Sequence, residues 1–195
     1  MSIDSVVSYI LIFGFITLLV VALIIPVEED EASVPIVPNN SHVIEYTNPN
    51  LIYNPATDEY FHVKPDNSKV ILVNNENAID VTSDMVYAFI LSDQTDKNEY
   101  ILDLFVCSNF AEMLHNNAED AGIRCAWVEV DFSDNDWSHS ANAFNTTDKG
   151  MIFIDCTQYD MYVDAWPEQE YKCYDLVDNH SYISAGNISE IKLFW

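Results

Sequence analysis

Basic side chains are what this sequence has least of: seven Lys and Arg stand against 32 Asp and Glu, a formal net charge of −25. A phosphate backbone would be repelled, so nucleic acid is excluded as a partner, and anionic lipid surfaces are disfavoured for the same reason. Glycine is nearly as scarce, at four residues, and no Gly-rich phosphate loop or internal repeat occurs. The four cysteines show no CxxC spacing and no two histidines share ligand spacing on one element, so no metal or other cofactor is expected. What the chain does have is apolar and aromatic residues, 49% and 13% of its 195. That is enough for one globular domain with a real core, plus an appendage.

The appendage is N-terminal. Residues 6–25 carry no charge, and at 1.5 Å per residue these 20 positions would span about 30 Å, the thickness of a bilayer core. The start lacks the positive charge and the short apolar stretch of a cleaved signal, so the reading is a stub over 1–4 and a single-pass anchor over 5–26. No Lys or Arg flanks the span, and the acidic cluster Glu28, Glu29, Asp30 and Glu31 follows it. The expected orientation is a cytoplasmic stub and an extracytoplasmic domain. Asn-x-Ser/Thr triplets at Asn39, Asn145, Asn179 and Asn187 fit that location. Residues 27–44 combine acid and proline without a period and read as a linker, leaving 45–195 as the domain.

Within the domain, helices come first and strands follow. "SDMVYAFILSD" (83–93) places Val86, Phe89 and Ile90 at helical spacing. Between 110 and 122, Phe110, Ala111, Leu114, Ala118 and Ala121 share one face, opposite Glu112, Asn116, Glu119 and Asp120, and Gly122 supplies a left-handed stop. From Ile123 the period becomes two: Ala126, Val128, Val130 and Phe132 alternate with Cys125, Trp127, Glu129 and Asp131, which predicts a strand with one face on the core. Stretches 139–144 and 150–157, joined by "NTTDKG", predict a hairpin, and "EYKCYDLV" and "EIKLFW" further strands. The fold class is α+β with an antiparallel sheet.

Cys107 stands directly ahead of the second helix, where the positive end of the helix favours a thiolate. A nucleophilic thiol also needs an imidazole held by a third group. The hairpin offers His139 near the start of its first strand and Asp155 near the end of its second, and antiparallel pairing makes those ends neighbours. Cys107 as nucleophile, His139 as general base and acid, and Asp155 as orienting partner form a thiol version of the nucleophile, base and acid arrangement.

These residues carry a resemblance. Cys107-Ser-Asn-Phe-Ala, Gly122-Ile123, His139-Ser-Ala and Asp155-Cys-Thr, in that order over about residues 84–175, resemble the motifs of the transglutaminase-like superfamily, and in detail an archaeal subgroup of it. The resemblance implies a papain-like core and thiol chemistry on amide bonds by acyl transfer: peptide or amide hydrolysis, or transamidation, on a protein or peptide substrate. Ser140 and Cys156 stand where the superfamily more often has Ala and Pro. Ile101 occupies the position at which papain-like enzymes often place an oxyanion-hole Gln, leaving Gln94, Asn98 or the backbone N–H of Cys107 for that role. The alternative reading is a non-catalytic envelope module, binding or structural, that keeps the fold.

The remaining histidines, His42, His62, His115 and His180, are expected at the surface or in hydrogen bonds, with His115 on the polar side of its helix. Outside the cell one disulfide could form among Cys125, Cys156 and Cys173, with Cys156 and Cys173 the expected pair. No oligomeric state follows from the sequence.

Overall fold

A computed structural model describes residues 64–195 except 65–67, 179 and 183–184, together with 43–46, 53–54 and 59–60. All of these belong to one compact unit, Val37–Trp195. The predicted stub, anchor and most of the linker lie outside the described residues, as do His42, His62, Asn39 and Asn179. Among the described residues no helix is long and apolar enough to cross a membrane.

The architecture is α+β. Three short strands come first, β1 (Val43–Tyr46), β2 (Tyr53–Asn54) and β3 (Glu59–Tyr60). Helices α1 (Ser83–Ser92) and α2 (Cys107–Asp120) follow, with a 3-10 turn at Thr95–Lys97 between them. The remaining strands are β4 (Ala126–Phe132), β5 (Ser138–Thr146), β6 (Gly150–Asp155), β7 (Met161–Asp164), β8 (Lys172–Asp175), β9 (Ser181–Tyr182) and β10 (Ile188–Phe194). Eight strands form one sheet in the order β1-β10-β4-β5-β6-β7-β8-β9, antiparallel throughout except where β1 runs parallel to β10. β2 and β3 form a separate pair.

Local chemistry explains the helix ends. Thr82 caps α1 by accepting from the N–H of Met85. Ser83 then gives its N–H and hydroxyl to the Asp148 carboxylate at 2.7 and 2.8 Å, fixing the start of α1 to the β5–β6 turn. Val86 and Ile90, one helical turn apart, are buried against α2 and the sheet. In α2 the apolar residues Phe110, Ala111, Leu114 and Ala118 are buried as their spacing predicts, whereas Ala121 caps the helix and is exposed. Gly122 adopts φ +80°, the left-handed conformation that ends it.

The opposite face of α2 differs from expectation. His115 and Glu119, read from the sequence as polar-side residues, are 0% and 3% exposed. The cause is an extended segment laid along that face. Glu112 accepts the N–H of Ile71, Asn116 accepts that of Val73, and Glu119 accepts that of Asn75, at 3.1, 2.8 and 2.9 Å. Two residues of extended chain advance about 6.6 Å and four of helix about 6 Å, so alternate N–H groups stay in step with side chains one helical turn apart. Asn74, between them, meets His115 Nε2 at 3.0 Å.

The sheet has two covered faces. Ala126, Val128, Val130 and Phe132 join β10 and β7 residues in one core, and residues 168–171 bond to 186–188, bending the sheet over it. Cys125 packs beneath α1 and α2 on the other face, and Trp127 packs with Ala111 and Phe194. The strand expected to have one buried face therefore has two at its start. Cys156 lies on the α2 side and Cys173 in the opposite core. Strand alternation puts the sheet between them, and all four cysteines are free, so the expected disulfide is absent.

Candidate active site

The hairpin pairs Asn142 with Ile154, Ala143 with Phe153 and Phe144 with Ile152. Toward its open end β5 continues beside β4 as far as Ser138 but parts from β6 after Asn142. His139 and Asp155 are neighbours across this end, as expected of the hairpin, without being direct ladder partners. They lie on the same sheet face across a diagonal, where the strands diverge, and the imidazole Nε2 donates to Asp155 Oδ2 at 2.7 Å.

The start of α2 enters at this divergence. Val106 is extended; its carbonyl accepts from Asn109 and Phe110 at 2.8 and 3.2 Å, and Asn109 Oδ1 accepts the Val106 N–H at 3.1 Å. Cys107 is the first helical residue and only half-buried, and no acidic side chain in the first turn cancels the positive end of the helix. With Nε2 committed to Asp155, the other ring nitrogen of His139 is the one left to act on the Cys107 thiol. The N–H of Ser140, in the stretch of β5 that has left β6, also favours the ionised sulfur.

Asp155 is held on three sides. Its Oδ2 accepts from His139 and, at 3.1 Å, from the Tyr171 hydroxyl, and its Oδ1 accepts the Thr157 N–H at 2.9 Å. Tyr171 is buried and sets its ring edgewise to His139, centroids 5.4 Å apart at 78°. The sequence placed Tyr171 in a strand candidate and gave it no role. Its position depends on the bonds that tie 168–171 to 186–188, including Tyr171 N–H to Gly186 C=O at 2.9 Å.

The electrostatics separate this thiol from the other three. Burial raises the Cys107 pKa, but the His139 hydrogen bond and charge, with the Ser140 N–H, outweigh it and hold the thiol below its ordinary value. Burial likewise works against the charged imidazole, and the Asp155 carboxylate with the Cys107 contact overcomes it, holding His139 well above the usual range. Burial raises Asp155, and the imidazolium and Thr157 bring it below its ordinary value. Cys125, Cys156 and Cys173 are all pushed up, chiefly by burial. The three coupled groups favour a thiolate beside an imidazolium, the form in which sulfur is nucleophilic.

The oxyanion candidates divide. Gln94 spends its amide on the carbonyls of Ser92 and Asp93, and Asn98 on Thr95 C=O and the Met113 sulfur. Neither amide is directed to Cys107. The Cys107 N–H, at the first helical position, has no acceptor within the helix. Of the remaining histidines, His180 is exposed with Nδ1 3.1 Å from Asp178, as expected of a surface residue. Asn145 and Asn187 are exposed as well, their amides donating to Asp80 and Asp134. A cavity of about 600 Å³ lies at the far end of α2, beside Glu119, Arg124 and Trp195, and none of the three site residues lines it. Among the described residues no group of His, Cys, Asp and Glu is arranged to hold a metal ion.

Compared with protein families, curated proteins and solved structures, the chain finds no match in any of the three.

Proposed function

We propose that this protein is a thiol enzyme of the transglutaminase-like kind, anchored by residues 5–26 with its domain outside the membrane, that transfers acyl groups from amide bonds. The observation that supports the reading is the His139 ring held 2.7 Å from Asp155 Oδ2, beside a half-buried thiol at the first residue of a helix with no acid in its first turn. The Cys107 thiolate attacks the amide carbonyl carbon, and the oxyanion that forms faces the Cys107 N–H. As the C–N bond breaks, His139 gives its proton to the departing amine, leaving a thioester. Water or a second amine then adds to the thioester, His139 takes up its proton, and the C–S bond breaks to release acid or new amide. Asp155 keeps the ring in the tautomer and orientation both steps require. The substrate is a protein or peptide, in keeping with a domain facing the cell envelope.

The test needs no known substrate. Iodoacetamide treatment of the folded chain, followed by peptide mapping, should label Cys107 rapidly down to about pH 6, where an ordinary thiol of pKa about 8.5 is below one per cent ionised. A Cys107 that labels only after denaturation would remove the catalytic reading and leave a binding or structural module in its place.

A further inference from the structure

The residues leading into Cys107 and into His139 both combine exposed apolar side chains with exposed acid. Ile101 and Phe105 exchange backbone hydrogen bonds at 2.9 and 2.8 Å, and Leu104 N–H bonds Ile101 C=O at 3.0 Å, closing a tight turn with Asp103 at φ +65°. The turn is fixed to the first turn of α2 by aromatic contacts. Phe105 meets the Phe110 ring edgewise at 4.8 Å, and Tyr100 stacks on Phe110 at 6.4 Å. So anchored, it presents Ile101, Leu102 and Leu104 to solvent, 43%, 73% and 61% exposed. Three residues of chain cover at most about 11 Å, so Leu104 stands at the rim of the nucleophile. On the other side Trp137, 51% exposed, precedes His139 by two residues, within about 7 Å by the same measure. Its ring continues an aromatic series inward, 5.0 Å to Phe132 and then 5.9 Å to Tyr171.

Exposed acid alternates with these apolar groups: Glu99 and Asp103 on the cysteine side, Asp136 on the histidine side. Five of the seven Lys and Arg side chains, Lys64, Lys97, Arg124, Lys172 and Lys192, are already in ion pairs with other carboxylates. Glu99, Asp103 and Asp136 are in none of these ion pairs, so the rim presents negative charge that would favour a cationic segment.

We propose that the Cys107 site selects basic, apolar polypeptide: a segment with a large apolar side chain beside the reacting amide and Lys or Arg within a few residues. The apolar side chain covers the Leu102–Leu104 turn and Trp137, and the cations face Glu99, Asp103 and Asp136. The inference rests on the thiol reading above, and its test separates the two.

Cys107 alkylation in the full-length chain, held in neutral detergent, is measured with increasing concentrations of four blocked pentapeptides. These are Lys-Leu-Gln-Gly-Lys, the same peptide with Ser for Leu, with Glu for both Lys, and with both changes. The basic apolar peptide should protect Cys107 at about tenfold lower concentration than either single change, and more than that below the doubly changed one. Added salt should shrink the Lys-against-Glu difference and leave the Leu-against-Ser difference intact. The double substitution Leu102→Ser with Leu104→Ser should abolish the Leu preference, and Asp103→Asn with Asp136→Asn should reduce the Lys preference. Thermal melting of each variant checks that the turn change leaves the fold intact, and Trp137→Ser repeats the first test should the turn variant not fold. Rapid labelling with equal protection by all four peptides would overturn the substrate inference while the thiol reading stands, leaving the apolar turn as a contact for lipid or another protein. Absence of rapid labelling in the folded chain would overturn both.

Discussion

Two imidazoles, one half-buried on β5 beside the start of α2 and one buried within α2, are driven in opposite directions. His139, at the start of the helix, meets a carboxylate at 2.7 Å and a thiol, and its pKa is held well above the ordinary range. His115, on α2 two turns from Cys107, meets no anion: its Nε2 is 3.0 Å from the Asn74 amide, and burial, opposed by the Cys125 backbone, pulls its pKa down to about 4. Burial opposes the charged ring in both places. What differs is the partner: an anion repays the loss of water around an imidazolium, whereas a neutral amide does so only for the neutral ring. The same contrast separates Cys107 from Cys125, Cys156 and Cys173, where burial meets no cation. Burial alone disfavours the charged form of each group, and burial with a matched charge favours it.

Removing the carboxylate should erase the difference between the two imidazoles most completely. Asp155→Asn keeps the shape, lets an amide favour the wrong ring tautomer, and should lower turnover by about a hundredfold or more. Activity equal to wild type would take Asp155 out of the mechanism, and a lost melting transition would mark it as structural. His139→Ala leaves Cys107 with the Ser140 N–H and the helix end, the latter worth about 1 kcal/mol and under one pKa unit. Its alkylation at pH 6 should fall by about ten- to a hundredfold, toward the behaviour of an ordinary thiol, while retained rapid labelling would show that these two suffice.

The His115 side of the comparison is a matter of stability. An imidazole with a folded pKa of about 4 and an unfolded value near 6.5 is neutral in both states at high pH. Between those values the unfolded chain binds the proton and the folded one does not, so stability is complete above about pH 6.5 and is lost as pH falls toward 4. From pH 7 to 5 the loss is about 2 kcal/mol. Asp160, raised to about 6 by burial and by Asp96 beside it, shifts the balance the other way over part of this range. The informative quantity is therefore wild type minus His115→Gln in urea unfolding at the two pH values. A variant as pH-dependent as wild type would show that His115 takes up its proton as readily in the fold as in the unfolded chain.

The smallest expected effect sharpens the His139 side. Tyr171→Phe keeps the ring edge against the imidazole and removes one hydrogen bond from Asp155. Turnover should fall about fivefold, which is the ~1 kcal/mol net worth of one ordinary hydrogen bond. The alkaline side of the pH–rate profile should also move, because Asp155 and His139 titrate as a unit. A lowered rate with an unshifted profile would assign Tyr171 to packing alone.

Much of this arrangement was legible beforehand because it is local. The 3.6-residue period of Phe110, Leu114 and Ala118, the stop at Gly122, and the turn between Thr146 and Gly150 each depend on neighbours a few residues away. Cys107, His139 and Asp155 could be singled out because a helix start and the open end of a hairpin are positions that sequence spacing defines. The order of the strands could not be read, since β10, last in the chain, pairs between β1 and β4. Nor could the burial of His115 and Glu119, because a helix face rich in Asn, His and Glu reads as solvated until a second segment is laid on it.

The sequence by itself determined the excess of acid, the two helices and the hairpin, and the residue types able to make a reactive thiol, because each follows from composition or from contacts within one turn or strand. Tertiary structure decided which histidine is pushed toward its charged form and which away from it, that Cys156 and Cys173 stand on opposite faces of the sheet, and that Tyr171 reaches Asp155. These outcomes depend on distances of a few ångströms between residues far apart in the chain, and only the closing of the sheet around β5 and β6 sets those distances.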